Sequence, residues 1–244
     1  MKLIEICENG DKIYKDEEEY WHLFRNGKEL TKGIKAVWVW SYENGDWYYR
    51  DEQDYYHIFR DGEELTKGIK TKWIYGYENG DWAYRDEQKY RHLFRNGKEL
   101  TKGLKAVLVW SFHNGDWAYE DEQGYYHLFR DEKELTKGIR AKFTWSYDNG
   151  DWKYKDEQGY YHLFRNGKEL TKGIKAVLVW SFDNGDWYYR DEKGYYHLFR
   201  DSKELTKRIK AIDIRNRANG DWEYENEQGS WHLFRNGKEI KEEV

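Results

Sequence analysis

Seven of the eight histidines stand 35 residues apart, at His22, His57, His92, His127, His162, His197 and His232. Histidine is the commonest metal ligand and a general acid or base near neutral pH. A register this regular argues for another role. Equivalent side chains on successive copies of a unit lie too far apart to share one ion unless they line a common axis. The expectation is therefore a structural histidine in each copy, hydrogen-bonded to an acidic residue of a nearby turn. His113, the eighth, replaces an acidic residue just before a turn and is expected at the surface. Neither a metal nor a cofactor is expected.

The carboxylates carry the same lesson. Asp51, Asp86, Asp121, Asp156 and Asp191 each precede a glutamate. Paired carboxylates can do acid–base work, but copied on every turn beside Arg or Lys they read as solvated turn residues. Cys7, the single cysteine, has no dedicated base in the sequence, so a nucleophile is not indicated. The glycines mark turns and form no phosphate-cradling loop. Catalysis needs a differentiated constellation, and near-identical copies offer none, so no enzyme is expected.

The aromatics make up 19% of the chain and must build the core. Trp47, Trp82, Trp117, Trp152, Trp187 and Trp222 all follow "GD" and read as packing between copies. A second set, Trp40, Tyr75, Trp110, Trp145 and Trp180, lies in the segment that varies most from copy to copy. These five are the candidate ligand-binding residues.

The positioning elements follow from the repeat. "NGD" recurs from Asn9 to Asn219 in steps of 35. A fixed period of this size points to a solenoid, a propeller or an array. The copies are 1–35, 36–70, 71–105, 106–140, 141–175, 176–210 and 211–244, called repeats 1 to 7 here, within one domain spanning 1–244. In repeat 6, "AVLVWSF" is β-branched and aromatic and reads as a strand. "DNG" then reads as a type I′ hairpin turn. "DWYYRD" and "YYHLFR" are two further strands, separated by the "EKG" turn. "DS", at Asp201 and Ser202, is the third turn, and "KELTKGIK" a weaker fourth segment. Proline is absent, so Gly, Asn and Asp carry the turns.

A four-stranded antiparallel meander repeated in this way resembles the blades of WD40-type β-propellers, although the Gly-His and Trp-Asp signatures of that family are absent. The expected fold is all-β, a seven-bladed β-propeller of 35-residue repeats, closed as a ring. An open solenoid with polar caps is the competing reading. The end repeats do deviate: Glu5 and Lys12 in repeat 1, and Asp213, Arg215 and Arg217 in repeat 7, stand where other copies are mostly apolar. Four of the five share one face of the first strand, which favours a ring with repeats 1 and 7 at its seam. Those charges are expected to pair or reach solvent. The resemblance implies that the first strand is innermost.

Net charge is −5 and the charged fraction 36%. That balance argues against nucleic acid or an anionic membrane as partner. The opening residues lack the apolar core of a signal peptide, and one cysteine suits a reducing, cytoplasmic location. A soluble monomer is expected. The leading functional expectation is a non-catalytic binding or protein-interaction scaffold. The alternative is a multivalent glycan binder, since Trp and Tyr stack on sugars and repeated weak sites give avidity; exposed inter-repeat tryptophans would support it. The near-identity of the copies also fits a recently amplified or artificial chain with no evolved ligand.

Overall fold

A computed structural model describes residues 1–240 other than 201, 208, 218, 236 and 237. Asp201 of the third turn of repeat 6, and the end of repeat 7 from 241 to 244, lie outside the described residues. The fold is all-β and follows the blade plan of a propeller: each repeat is a four-stranded antiparallel meander in chain order. In repeat 2 the strands are Trp38–Ser41, Trp47–Arg50, Tyr56–Arg60 and Glu63–Glu64. Repeats 6 and 7 join into one sheet because Tyr196 of the third strand of repeat 6 pairs with Ala211.

The first strand starts later than its sequence implies. In repeat 6 it runs Leu178–Ser181, leaving Ala176 and Val177 outside. The Ala176 carbonyl is already taken by the Tyr161 amide of repeat 5. The opening alanine therefore serves the hand-over between repeats. The fourth segment pairs for only two residues, Lys203–Glu204 in repeat 6. Beyond it the Thr206 hydroxyl accepts from the buried Leu198 amide, and Ile209 closes a turn onto the Thr206 carbonyl.

The first turn also departs from the expected type I′. Only its glycine has positive φ, +84° at Gly10. The Gly10 amide donates to the Cys7 carbonyl, and Cys7 in turn donates to Asp11. This is a type I turn closed by a glycine bulge. The cause is Asn9, whose Oδ1 accepts from the Asp11 amide and whose Nδ2 reaches the next repeat. The type I′ geometry belongs instead to the third turn, where Asn26 and Gly27 both have positive φ, 49° and 77°.

A polar junction links each repeat to the next. Asp11, buried, accepts from Arg25 at 2.6 and 2.9 Å and from Ser41 Oγ of repeat 2 at 2.6 Å. Arg25 also donates to the Gly45 carbonyl, and Asn9 to the Tyr42 carbonyl. Burial pushes the Asp11 carboxyl up, but the bonds from Arg25 and Ser41 outweigh it and hold it below its usual range. In repeat 7 Asn216 replaces the serine, and its Nδ2 still donates to Asp186, at 2.8 Å. In repeat 3 the residue is Gly76. A Cβ there would sit 2.7 Å from the Tyr42 ring, whose hydroxyl accepts from the Gly76 amide.

Beside the junction lies the apolar seam. Cys7, Ile13 and Leu23 of repeat 1 pack with Ala36, Val39 and Trp47 of repeat 2. Leu198 of repeat 6 packs with Ala211, Ile214 and Trp222 of repeat 7. The "GD" tryptophans are buried, as packing residues should be, and each stacks on the phenylalanine of its own third strand, Trp47 on Phe59 at 4.4 Å. The chain divides into two compact units: Met1–His113 with Tyr119–Gln123, and Asn114–Ala118 with Gly124–Val244. In the first, the strand Lys2–Ile6 is exposed at all five positions. Among the described residues no helix is long and apolar enough to cross a membrane.

Candidate binding surface on the first strands

The first strands alternate strictly. In Trp38–Ser41 the second and fourth residues, Val39 and Ser41, are buried in the seam and the junction, which turns Trp38 and Trp40 outward. The same alternation exposes the candidate residues in both units. Tyr75 is 51% exposed, Trp145 40% and Trp180 41%, while Trp40 and Trp110 are half-buried. In the first unit Tyr75 lies against Trp73 and Tyr77, ring centroids 6.4 and 4.9 Å away. In the second, Trp145 stacks on Phe143, and Trp180 meets Tyr147 edge-on at 5.4 Å.

Two cavities open beside these rings in the first unit. One of about 270 Å³ is bounded by Trp40 and Tyr42 together with Glu5, Glu8, Glu43 and Glu78. The other, about 190 Å³, is bounded by Tyr75, Tyr77, Glu78 and His113. Glu78 belongs to both. Glu8 and Glu43 come from equivalent positions of successive repeats, and the hydrogen bond between them pushes the Glu8 carboxyl up. His113, exposed as expected, faces Glu78 at 2.9 Å.

Each recurring histidine sits inside its own sheet with an acidic partner. His92 places Nδ1 2.7 Å from Glu99 and Nε2 3.1 Å from Asp86, and its ring stacks on Tyr84 at 4.6 Å. Burial works against the charged ring, but the two carboxylates outweigh it and raise the histidine above its ordinary value. The aspartates do double service: Asp51 Oδ1 caps the turn through the Gln53 and Tyr55 amides, and Oδ2 faces His57. Burial raises the Cys7 thiol, which disfavours the reactive thiolate. Of the end charges, Arg217 pairs with Glu223 at 2.7 Å and Arg215 lies over the Trp231 ring at 4.0 Å. Glu5 and Lys12 are exposed.

Sequence reasoning passed over Lys153. It is buried, donates to the Val179 carbonyl at 3.0 Å, and lies 5.2 to 5.4 Å from the rings of Tyr147, Tyr161 and Trp180. Desolvation brings its ammonium down to about 8. The signal was present: the equivalent residues are Ile13, Tyr48, Ala83, Ala118, Tyr188 and Glu223, mostly apolar.

No protein-family model and no curated protein matches the chain. Among solved structures it is similar to the WD40 β-propeller domain of Doa1, with 10% identity over 96% of this chain and 92% of that one and a TM-score of 0.32. The C-terminal WD40 domain of Sif2 shares 9% identity over 96% and 84%, with a TM-score of 0.34. YCF48 bound to D1 peptide shares 9% over 88% and 86%, with a TM-score of 0.35.

Proposed function

We propose that the protein is a non-catalytic interaction scaffold that holds a protein segment against the outward aromatics of its first strands. Trp40, Tyr75 and Trp110 serve in the first unit, and Trp145 and Trp180 in the second. One observation carries this reading. Where packing needs a tryptophan, as at Trp47, the ring is buried, whereas the rings at these five positions remain exposed or half-exposed. Exposed aromatic rows of this kind are what interaction sites use for anchors. Glu8, Glu43 and Glu78 flank the row in the first unit and favour a segment carrying Lys or Arg.

A displayed random-peptide library, selected on the wild-type chain and counter-selected on Trp40→Ser/Tyr75→Ser/Trp110→Ser, tests this. The expected result is enrichment of basic, apolar-containing peptides that the triple variant fails to hold. Enrichment indifferent to the three substitutions overturns it. A glycan array run on both proteins covers the lectin alternative, which lost its inter-repeat platform with the burial of the "GD" tryptophans. Glycan retention lost in the variant would replace the protein-segment reading.

A further inference from the structure

Near the end of its second strand each repeat carries a charged residue. In repeat 1 this is Lys15, which pairs with Glu19 four residues on and lies opposite Trp21 on the third strand. In repeat 2 it is Arg50, which pairs with Asp54 at 3.4 Å and lies opposite Tyr56. In repeat 3 it is Arg85, which has Lys89 four residues on and Arg91 opposite. An ion pair and an aromatic neighbour have given way to two like charges, which repel. Lys89 and Arg91 are the only cations at their positions in the seven copies.

Burial, and also the charge of Arg85, hold the Arg91 guanidinium below its ordinary value. Its Nε is buried with no hydrogen-bond partner among the described residues, and the group lies over the Trp73 ring at 4.6 Å. Lys89 holds a left-handed φ of 74°, where repeats 4 to 7 place glycine. Glu19 and Asp54 hold the same conformation in repeats 1 and 2 and from it pair with Lys15 and Arg50. Repeat 3 keeps the conformation and reverses the charge.

The hand-over beside these residues is open. Elsewhere in the first unit a tyrosine donates to a glutamate of the next repeat, Tyr20 to Glu52 at 2.7 Å and Tyr90 to Glu122 at 2.6 Å. Lys105 pairs with the same Glu122 at 3.0 Å. Between repeats 2 and 3 the counterparts are Tyr55, Glu87 and Lys70, and no hydrogen bond or ion pair joins these three. Lys70 and Lys72 both lie over the Tyr55 ring, at 5.9 and 5.7 Å. A cavity of about 250 Å³ opens there, bounded by Tyr55 and Trp73 and by Lys70, Lys72, Arg85 and Lys89. Two carboxylates, Asp86 and Glu87, share its wall. Asp86 already accepts from the Tyr90 amide at 2.8 Å and faces His92 at 3.1 Å. All of these residues lie in the first unit.

We propose that this cavity is a binding site for a phosphate monoester, held by Arg85 and Lys89 with Lys70 and Lys72, its organic group against Trp73 and Tyr55. Four cations outnumber two carboxylates here, in a chain whose net charge is −5, so the positive excess is local. An anion between Arg85 and Lys89 supplies what Glu19 and Asp54 supply in repeats 1 and 2. A phosphate dianion answers more of the excess than a carboxylate does, and a guanidinium fork with ammonium donors matches its oxygens. The volume suits a phosphate with one ring attached. The site does not rest on the segment proposed above, since it shares no residue with the cavities at Trp40 and Tyr75.

Isothermal titration of the full chain with phenyl phosphate, inorganic phosphate and phenol tests the proposal. Phenyl phosphate is expected to saturate below about 10 mM and to bind about tenfold tighter than inorganic phosphate, with no binding of phenol. Lys89→Gly should weaken it about fivefold. Arg85→Glu/Lys89→Gly, which copies Glu120 and Gly124 of repeat 4, should abolish it. Trp73→Leu, copying Leu108, should leave phenyl phosphate no tighter than inorganic phosphate. Arg190→Glu makes the same charge change at the equivalent position of repeat 6 and should leave binding intact. Adenosine monophosphate and N-acetylphosphotyrosinamide then distinguish a free nucleotide from a modified protein side chain as the source, the tighter of the two naming it. Failure of phenyl phosphate to saturate by about 10 mM overturns the proposal. So does binding that survives in Arg85→Glu/Lys89→Gly, or that falls equally in Arg190→Glu. Circular dichroism of each variant separates loss of the site from loss of fold.

Discussion

Lys153 gives the most demanding test of the packing described above. Its ammonium is buried among Tyr147, Tyr161 and Trp180 and donates to the Val179 carbonyl. A lysine held at about 8 in the native chain, against 10.5 when exposed, binds its proton less tightly folded than unfolded. Below about 8 both states are protonated and the native state bears the full cost of burying the charge. Between 8 and 10.5 the unfolded chain holds more protons, so stability rises with pH. The span corresponds to about 3 kcal/mol. The three ring faces attract the ammonium and work against desolvation, so this is the upper end. Lys153→Met removes the charge and keeps most of the volume. It should be more stable than wild type by about 2 to 3 kcal/mol at pH 7, and the difference should shrink towards zero by about pH 10.5. Urea unfolding of both proteins at several pH values measures this. The buried tyrosines lose stability above their unfolded value of 10, but they are common to both chains and cancel in the difference. A gap constant between pH 7 and 10 would refute the desolvation argument. A variant less stable than wild type at pH 7 would show that the rings and the carbonyl more than compensate for burial.

Three further outcomes follow from the same geometry. At the junction, Asp151→Ala removes the buried carboxylate that Arg165 donates to at 2.6 and 2.9 Å and should cost about 3 to 5 kcal/mol in urea unfolding; Ser181→Ala, losing one hydroxyl bonded at 2.6 Å to Asp151, should cost about 1.5 to 3, and Ser181→Asn, copying repeat 7, under about 1. Lys89 occupies a left-handed position, φ 74°, that Gly124 and Gly159 fill in later repeats; Lys89→Gly should raise thermal stability by about 1 kcal/mol, and a loss would contradict the strain. His162 lies between Glu169 at 2.7 Å and Asp156 at 3.1 Å; His162→Ala should cost about 1 to 3 kcal/mol, and stoichiometric, stabilising zinc binding abolished by it would overturn the structural role.

The period and the meander were legible because each is a local pattern copied seven times, and the burial of the "GD" tryptophans because theirs is copied six times. The histidine's acidic partners were legible for the same reason: Asp86 and Glu99 lie within seven residues of His92. What local pattern could not supply was anything set by the neighbour. "DNG" has the letters of a type I′ turn, yet Asn44 uses its carboxamide to hold the Asp46 amide, and that choice makes sense only beside the next repeat. The opening alanine reads as strand until its carbonyl is found serving the previous repeat. Asp11 and Ser41 are 30 residues apart, so their bond has no local signature. It does leave a trace across the copies: the position reads Ser, Gly, Ser, Ser, Ser and Asn from repeat 2 to repeat 7, small or able to donate. Ile6 breaks that rule in repeat 1. Lys12, a cation where six repeats have tryptophan, departs in the same way. In an array of copied units, chemistry specific to one place is therefore written in the exceptions. Lys89, Arg91 and Lys153 are such exceptions inside the array, and Ile6 and Lys12 in its first repeat.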